Sequence, residues 1–273
     1  MDWAGVFFIV VAVGAVLTAL NSAAGLVSAF DAGTLTFSIV LALVGVAAFV
    51  GFWTVEKRTA QPMVEIAHLR QRSMWALLLT TTLTMTGIFA VINGIVPAYV
   101  QAASPGFGVG PTEMSLIILT PYALLGWLVG PVSGRLAPVF GYTKVLRIGL
   151  LGSIAALAVI AFLGLHSLPM MILGTVLLGI MYAGTVNIML NGLGVVLSPA
   201  GNPGFLPGMN AGAFNLGAGL SFLILPAVLV ATSALGDATA SYLTVVVVGL
   251  GLTVAAFAAS LLIPKPVEAE VGA

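Results

Sequence analysis

Eight apolar runs, each long enough to cross a lipid bilayer, dominate the sequence. A helix needs about 20 apolar residues to span the hydrocarbon core. The strands of a transmembrane barrel would instead alternate apolar and polar residues, and these runs are continuous. We therefore predict an all-α, polytopic membrane helix bundle with about eight transmembrane helices. The runs cover residues 5–27, 34–55, 74–100, 112–134, 145–165, 169–197, 207–233 and 240–263.

The composition requires most of the surface to face lipid. Only 6% of the residues are charged and 60% are hydrophobic, whereas a soluble domain carries roughly 25% charged residues. The formal net charge is zero, so no basic field attracts nucleic acid. Cysteine is absent, which excludes disulfides and thiolate metal sites. We expect membrane lipid as a partner, and no nucleic acid.

All the basic residues lie in or at the edges of alternate connections between the runs, or in the C-terminal tail, and this distribution predicts the orientation. Positively charged loops stay in the cytoplasm, so we expect a multi-pass protein of the plasma membrane with both termini cytoplasmic. The polar segment 56–73 is either a simple cytoplasmic loop or, over 63–70, an amphipathic interfacial helix. The basic residues are Lys57, Arg58, Arg70, Arg72, Arg135, Lys144, Arg147 and Lys265.

The interiors of the runs contain no Asp, Glu, Lys or Arg. Such buried ionisable residues mark the proton and ion paths of pumps, and this chain supplies none. Glu113 comes nearest, at the start of the fourth run. It is either a helix-capping acid, since a carboxylate is favourable near a helix N-terminus, or part of an outer gate.

Uncharged polar residues inside the runs are the candidates for a substrate site. An asparagine in hydrocarbon needs a hydrogen-bond partner or a wet cavity. Two interpretations are open: hydrogen bonds between helices, or a water-filled cavity that faces the substrate. The candidates for the cavity are Asn93, Tyr122, Asn187, Asn191 and Asn210.

Sequence motifs of enzymes and of nucleotide-binding proteins are missing. The chain has no P-loop, no GxSxG elbow, no HExxH and no Rossmann GxGxxG. We therefore expect a protein that is not an enzyme, with no cofactor and no metal.

One connection carries a family signature. Residues 134–144 read GRLAPVFGYTK, which resembles the cytoplasmic signature of the major facilitator superfamily, approximately GxxxDRxGRR/K. On this resemblance Gly134, Arg135, Gly141 and Lys144 form a cytoplasmic gate motif. Pro138 occupies the signature's Asp position and a valine its Arg position. The motif here therefore supports a tight turn more than a salt-bridge lock.

Further motifs are similar to the fourteen-helix drug–proton antiporter branch of that superfamily, the EmrB/QacA type. They are DWAG at 2–5, PAYVQ at 97–101, GPVSGRL at 130–136 and LPGMN at 206–210. The resemblance covers nearly the whole chain.

The resemblance implies both a domain organisation and an activity. Residues 1–55 correspond to two linker helices, 74–264 to the six-helix C-terminal half of a transporter, and 265–273 to a cytoplasmic tail. The implied activity is efflux of small amphipathic compounds by alternating access. Proton antiport would come from a missing or separate N-terminal six-helix half, and a second copy is another possible partner. The alternative is a membrane scaffold or partner subunit that transports nothing.

Overall fold

The computed structural model describes residues 3–25, 32–56, 70–199, 201–233 and 236–264, and every regular element in these ranges is a helix. The all-α prediction is therefore confirmed. The segment 57–69, with its proposed amphipathic helix, and the tail 265–273 lie outside the described residues. The long helices are α1 Trp3–Gly25, α2 Ala32–Glu56, α3 Arg72–Gln101, α4 Pro111–Phe140, α5 Tyr142–Phe162, α6 Leu168–Val196, α7 Phe205–Ser233 and α8 Ala238–Ser260.

Seven helices in the described part are long and apolar enough to cross a membrane. These are α2 to α8, and their apolar lengths run from 20 to 30 residues. In α1 the apolar stretch is the shorter Gly5–Val16. The chain is therefore a polytopic membrane helix bundle, as expected, and an eighth span at α1 stays a prediction.

Helix α3 lies at the centre of the bundle. It packs against α7 on one side and α8 on another, and α8 in turn packs against α5. Helix α4 packs mainly against the middle of α6. Of the most apolar 18 residues of each helix, 67% are buried in α3, against 17% in α4 and 22% in α7. Helices α4 and α7 therefore keep large surfaces that no described helix covers.

Glycines let α3 approach both of its main neighbours. A Cβ atom on Gly87 of α3 would lie 2.6 Å from the carbonyl oxygen of Gly249 in α8. A Cβ on Gly217 of α7 would lie 2.5 Å from the carbonyl oxygen of Thr82 in α3. Such close backbone contact is the usual means of packing helices in a membrane, where lipid tails are as apolar as leucine.

Within the described ranges, three helices contain π-helical turns, which the sequence did not predict. The turns are Val91–Ile95 in α3, Ser115–Leu119 in α4 and Gly179–Val186 in α6. In α6 the turn begins where a Cβ on Gly179 would lie 2.5 Å from the carbonyl oxygen of Tyr122. These wide turns are local changes of helix geometry of the kind that often accompanies functional sites.

The connection between α4 and α5 is shorter than predicted. The apolar pattern ends the fourth run at 134 and starts the fifth at 145, whereas α4 continues to Phe140 and α5 begins at Tyr142. Gly141, with φ of 86°, is the single residue between them. A helix can extend beyond the apolar run that spans the bilayer, so hydropathy underestimates its length. A positive φ is readily adopted by glycine, which explains why the turn falls at Gly141.

Candidate functional site

Three asparagines are exposed on the surface of the bundle although they lie within membrane-length helices. Asn93 is on α3, Asn191 on α6 and Asn215 on α7. Each side-chain Nδ2 donates to the carbonyl four residues earlier: Asn93 to Phe89 at 2.9 Å, Asn191 at 2.8 Å and Asn215 at 2.9 Å. Each amide thus has at least one N–H satisfied within its own helix, while the residue as a whole stays exposed.

Such a surface is a poor match for lipid. An amide in hydrocarbon retains unsatisfied hydrogen-bonding groups, which costs free energy unless water or another protein group pairs with them. The exposed amides therefore indicate surface that meets water, a solute or further protein. We call the exposed surfaces of Asn93, Asn191 and Asn215, taken together, the amide face.

The predicted candidates Asn187 and Asn191 form a pair on α6. The Nδ2 of Asn191 donates to the side-chain oxygen of Asn187 at 3.0 Å, and Asn187 is half-buried. The pair follows directly after the π-helical turn of α6, because the turn ends at Val186 and Asn187 is the next residue. Both residues stay candidates for lining a polar cavity.

Asn210, another predicted candidate, is buried and fully engaged with neighbouring helices. The hydroxyl of Thr81 on α3 donates to its Oδ1 at 2.6 Å, and its Nδ2 donates to the carbonyl of Leu190 on α6 at 3.3 Å. Only 1% of Asn210 is exposed. This geometry favours the interhelical hydrogen bond, the other interpretation that the sequence left open for these residues.

Tyr122, the fifth candidate, is half-buried where α4 meets α6. Its backbone faces Gly179, and the π-helical turn of α6 starts at that point. The structure thus places Tyr122 on a different helix pair from Asn93.

A cluster of three phenylalanine rings beside Asn93 was not among the predicted candidates. The ring of Phe89 lies 5.7 Å from that of Phe222 and 6.3 Å from that of Phe214, both in edge-to-face arrangement. The spacing of Phe89 and Asn93, four residues on one helix, places them on the same face. That spacing was available in the sequence, but the partner rings from α7 were not, because they come from more than 120 residues away.

Of the gate motif, Gly141 forms the turn between α4 and α5 and Lys144 lies in the first turn of α5, whereas Gly134 and Arg135 lie within α4. Arg135 and Lys144 are exposed, and neither forms an ion pair within the part of the chain that the structure describes. The ammonium of Lys144 lies 6.0 Å from the centre of the Phe140 ring. A Cβ on Gly134 would lie 4.0 Å from the side chain of Ile188. The geometry fits a tight turn, and the gating role stays a prediction.

Two other basic residues cap the end of α8, which the sequence did not reveal. A guanidinium nitrogen of Arg147 donates to the carbonyls of Ser260 and Ile263, at 3.1 and 3.4 Å. The Nε of Arg72 donates to the carbonyl of Leu262 at 3.0 Å. Cations are favourable where a helix ends in unpaired carbonyls, so these two arginines tie α3 and α5 to α8.

Glu113 is exposed in the first turn of α4. The position suits a carboxylate near the free amides of a helix N-terminus. Its proposed role in an outer gate stays a prediction.

A groove of about 390 Å³ lies between α1, α2 and α7. Its wall includes Ile9, Phe49 and Leu216 and is apolar. An apolar groove among lipid-facing helices suits lipid chains better than a polar solute, so it does not compete with the amide face as a substrate site.

The fold and the amide face together define a polytopic membrane protein with a polar surface inside its spanning region. No protein-family model matches the chain. The chain is 50% identical over 274 residues to a curated protein of Lactococcus lactis subsp. cremoris (strain MG1363), named "Uridine/deoxyuridine transporter". The match covers 99% of this chain and 57% of the relative. The likeness and the seven membrane-length helices support a membrane transporter, and the relative's name agrees with the expectation that the chain is not an enzyme.

Proposed function

We propose that the chain is part of a membrane transporter for pyrimidine nucleosides, with uridine and deoxyuridine as substrates. The observation that carries the proposal is the 50% identity to a uridine/deoxyuridine transporter along 99% of the chain. At this identity half of the aligned residues are the same in the two proteins, so we expect the same helices in both. The substrate named for the relative is therefore the first to test here.

The chemistry of the chain suits a neutral, polar solute. Nucleosides carry hydrogen-bonding groups and no charge, and amide side chains can pair with such groups without a charged residue. The interiors of the described membrane spans contain no Asp, Glu, Lys or Arg, and the amide face offers side chains of the right kind. A charged substrate would call for a charged partner in the spans.

The expectation of multidrug efflux with proton antiport finds no support in the comparison. The relative is named as a transporter of two nucleosides and not of amphipathic drugs. The scaffold alternative is not favoured either. We retain the resemblance to the major facilitator superfamily, the plasma-membrane location and the cytoplasmic termini as parts of the proposal, on the motifs and the Lys/Arg distribution given above.

The amide face would be completed by further protein. The chain spans 57% of the relative, so more than a third of that protein has no counterpart here. We call that remainder the complementary part. The uncovered surfaces of α4 and α7 and the amide face would meet it, or a second copy of the chain, around a central cavity, and rocking of the two parts would give alternating access.

The proposal is tested by uptake of radiolabelled uridine into cells that lack nucleoside uptake of their own. The cells express the chain alone, the complementary part alone, or both. We expect accumulation of uridine that unlabelled deoxyuridine suppresses, in cells that contain the chain. Accumulation that is equal with and without the chain would contradict the proposal.

A further inference from the structure

Asn93 has a feature that separates it from the other exposed asparagines: it bonds to the backbone of a residue whose ring belongs to an aromatic cluster. Its Nδ2 donates to the carbonyl of Phe89 at 2.9 Å, and the Phe89 ring contacts the rings of Phe214 and Phe222 edge to face. The hydrogen bond fixes the amide, because turning it over would replace the donor with an oxygen. Asn93 therefore presents one free N–H and its side-chain oxygen in a set direction.

Phe222 reaches this position because α3 has a glycine next to Asn93. A Cβ on Gly94 would lie 3.2 Å from Cε1 of Phe222, so a larger residue would press on the ring. The ring is 45% exposed, in spite of its contact with Phe89. An exposed ring beside a fixed amide combines a surface for stacking with a hydrogen-bonding edge.

We propose that Asn93 and Phe222 form the site that binds the nucleobase of the substrate. This inference rests on the proposed function. Uracil presents an N3–H donor between two carbonyl acceptors. A single amide can accept from N3–H through its oxygen while its free N–H donates to the adjacent carbonyl. The flat base stacks on the exposed ring, as bases do on aromatic side chains in other proteins.

A site of this kind accounts for a pair of substrates that share a base. Uridine and deoxyuridine carry the same uracil and differ only by the hydroxyl at the 2′ position. A protein that recognises the base binds both, since the 2′-hydroxyl makes no required contact. Asn93 thus acts as a specificity-determining residue for the base and Phe222 as its stacking partner.

Asn215 is the matched control for Asn93. It is also exposed, and its Nδ2 donates to a carbonyl four residues earlier at the same distance of 2.9 Å. It lies seven residues before Phe222 on α7, which is about 10 Å along a helix. A base stacked on Phe222 is therefore out of reach of its amide.

The experiment compares uridine with 3-methyluridine, in which a methyl group replaces the N3 hydrogen. Both compete with labelled uridine for uptake by cells that contain the chain and the complementary part. With the unaltered chain we expect uridine to suppress uptake of the label at concentrations on the order of tenfold to a hundredfold lower than 3-methyluridine does. This is the usual effect of one good contact to a base edge. Asn93→Leu is expected to abolish this preference and to raise the KM for uridine by a similar factor. Asn215→Leu, which alters another residue of the amide face, is expected to keep the preference for uridine over 3-methyluridine whatever its effect on the rate of uptake.

Two further variants guard against loss of folding. Asn93→Ala, with a smaller side chain than leucine, is expected to abolish the preference as Asn93→Leu does. Phe222→Leu keeps an apolar residue but removes the ring, so it should weaken the binding of uridine and of 3-methyluridine by the same factor. Preference for uridine that survives both substitutions of Asn93 overturns this inference and leaves the proposed function standing. Absence of uridine uptake by the unaltered chain with its complementary part overturns both.

Discussion

Asn210 of α7 differs in burial and in hydrogen bonding from Asn215 of the same helix and from Asn93 of α3. Asn210 is buried and joins three helices through Thr81 and Leu190. Asn93 and Asn215 are exposed and bond only within their own helices. In the sequence all three are simply polar residues in apolar runs. The structure separates the buried asparagine with interhelical hydrogen bonds from the exposed ones, because burial depends on neighbours that are distant in sequence.

Asn210→Leu is expected to destabilise the bundle. The substitution leaves the hydroxyl of Thr81 and the carbonyl of Leu190 without their partner in a buried place. The cost is about 1–2 kcal/mol, in the range of measured interhelical hydrogen bonds in membranes. Thermal unfolding in detergent measures it, with Asn215→Leu as the exposed control. Equal melting temperatures for the two variants would contradict the structural role of Asn210.

The glycines of α4 show that a glycine pattern in the sequence does not by itself locate the close contacts between helices. On α4, Gly126, Gly130 and Gly134 recur every four residues, a pattern typical of close helix approach. Only the first is in tight contact, where a Cβ would lie 2.7 Å from that of Ala183. Cβ atoms on the other two would lie 3.6 and 4.0 Å from Ile188, an ordinary contact distance.

Gly217→Ala is expected to destabilise the contact between α7 and α3 by about 1–3 kcal/mol, a typical cost of overpacking. The new Cβ would lie 2.5 Å from the backbone oxygen of Thr82, and backbone cannot move aside as a flexible side chain can. The control is Gly212→Ala on the same helix, where a Cβ has nothing within 4 Å. The melting temperatures of the two variants should differ by several degrees. An unchanged melting temperature for Gly217→Ala would show that the two helices are farther apart than the structure places them.

The helices themselves were largely predictable, because continuous apolar runs leave few alternatives in a membrane. The end of α4 was not, since hydropathy reports where the bilayer ends rather than where the helix does, and α4 continues to Phe140. The π-helical turn Gly179–Val186 and the cluster around Phe89 were also missed. Both depend on contacts between helices, which no local pattern in the sequence specifies.

The orientation of the whole molecule follows from the Lys/Arg distribution and stays a prediction. The chain has no cysteine, so single cysteines can be introduced without a background. Cysteines placed at 166 and 237 should react with a membrane-impermeant thiol reagent added outside cells, and cysteines at 70 and 144 should react only after the cells are opened. The reverse pattern of labelling would overturn the orientation.

We infer that the chain forms part of a transporter for uridine and deoxyuridine. The most direct measurement is counterflow in proteoliposomes that contain the chain and the complementary part. The vesicles are loaded with unlabelled uridine and diluted into a trace of labelled uridine, so that exchange needs no coupling ion. We expect transient accumulation of labelled uridine, at a higher rate than in vesicles with the complementary part alone. Vesicles loaded with unlabelled deoxyuridine should accumulate the label equally well. Label that enters no faster than in those control vesicles would contradict it.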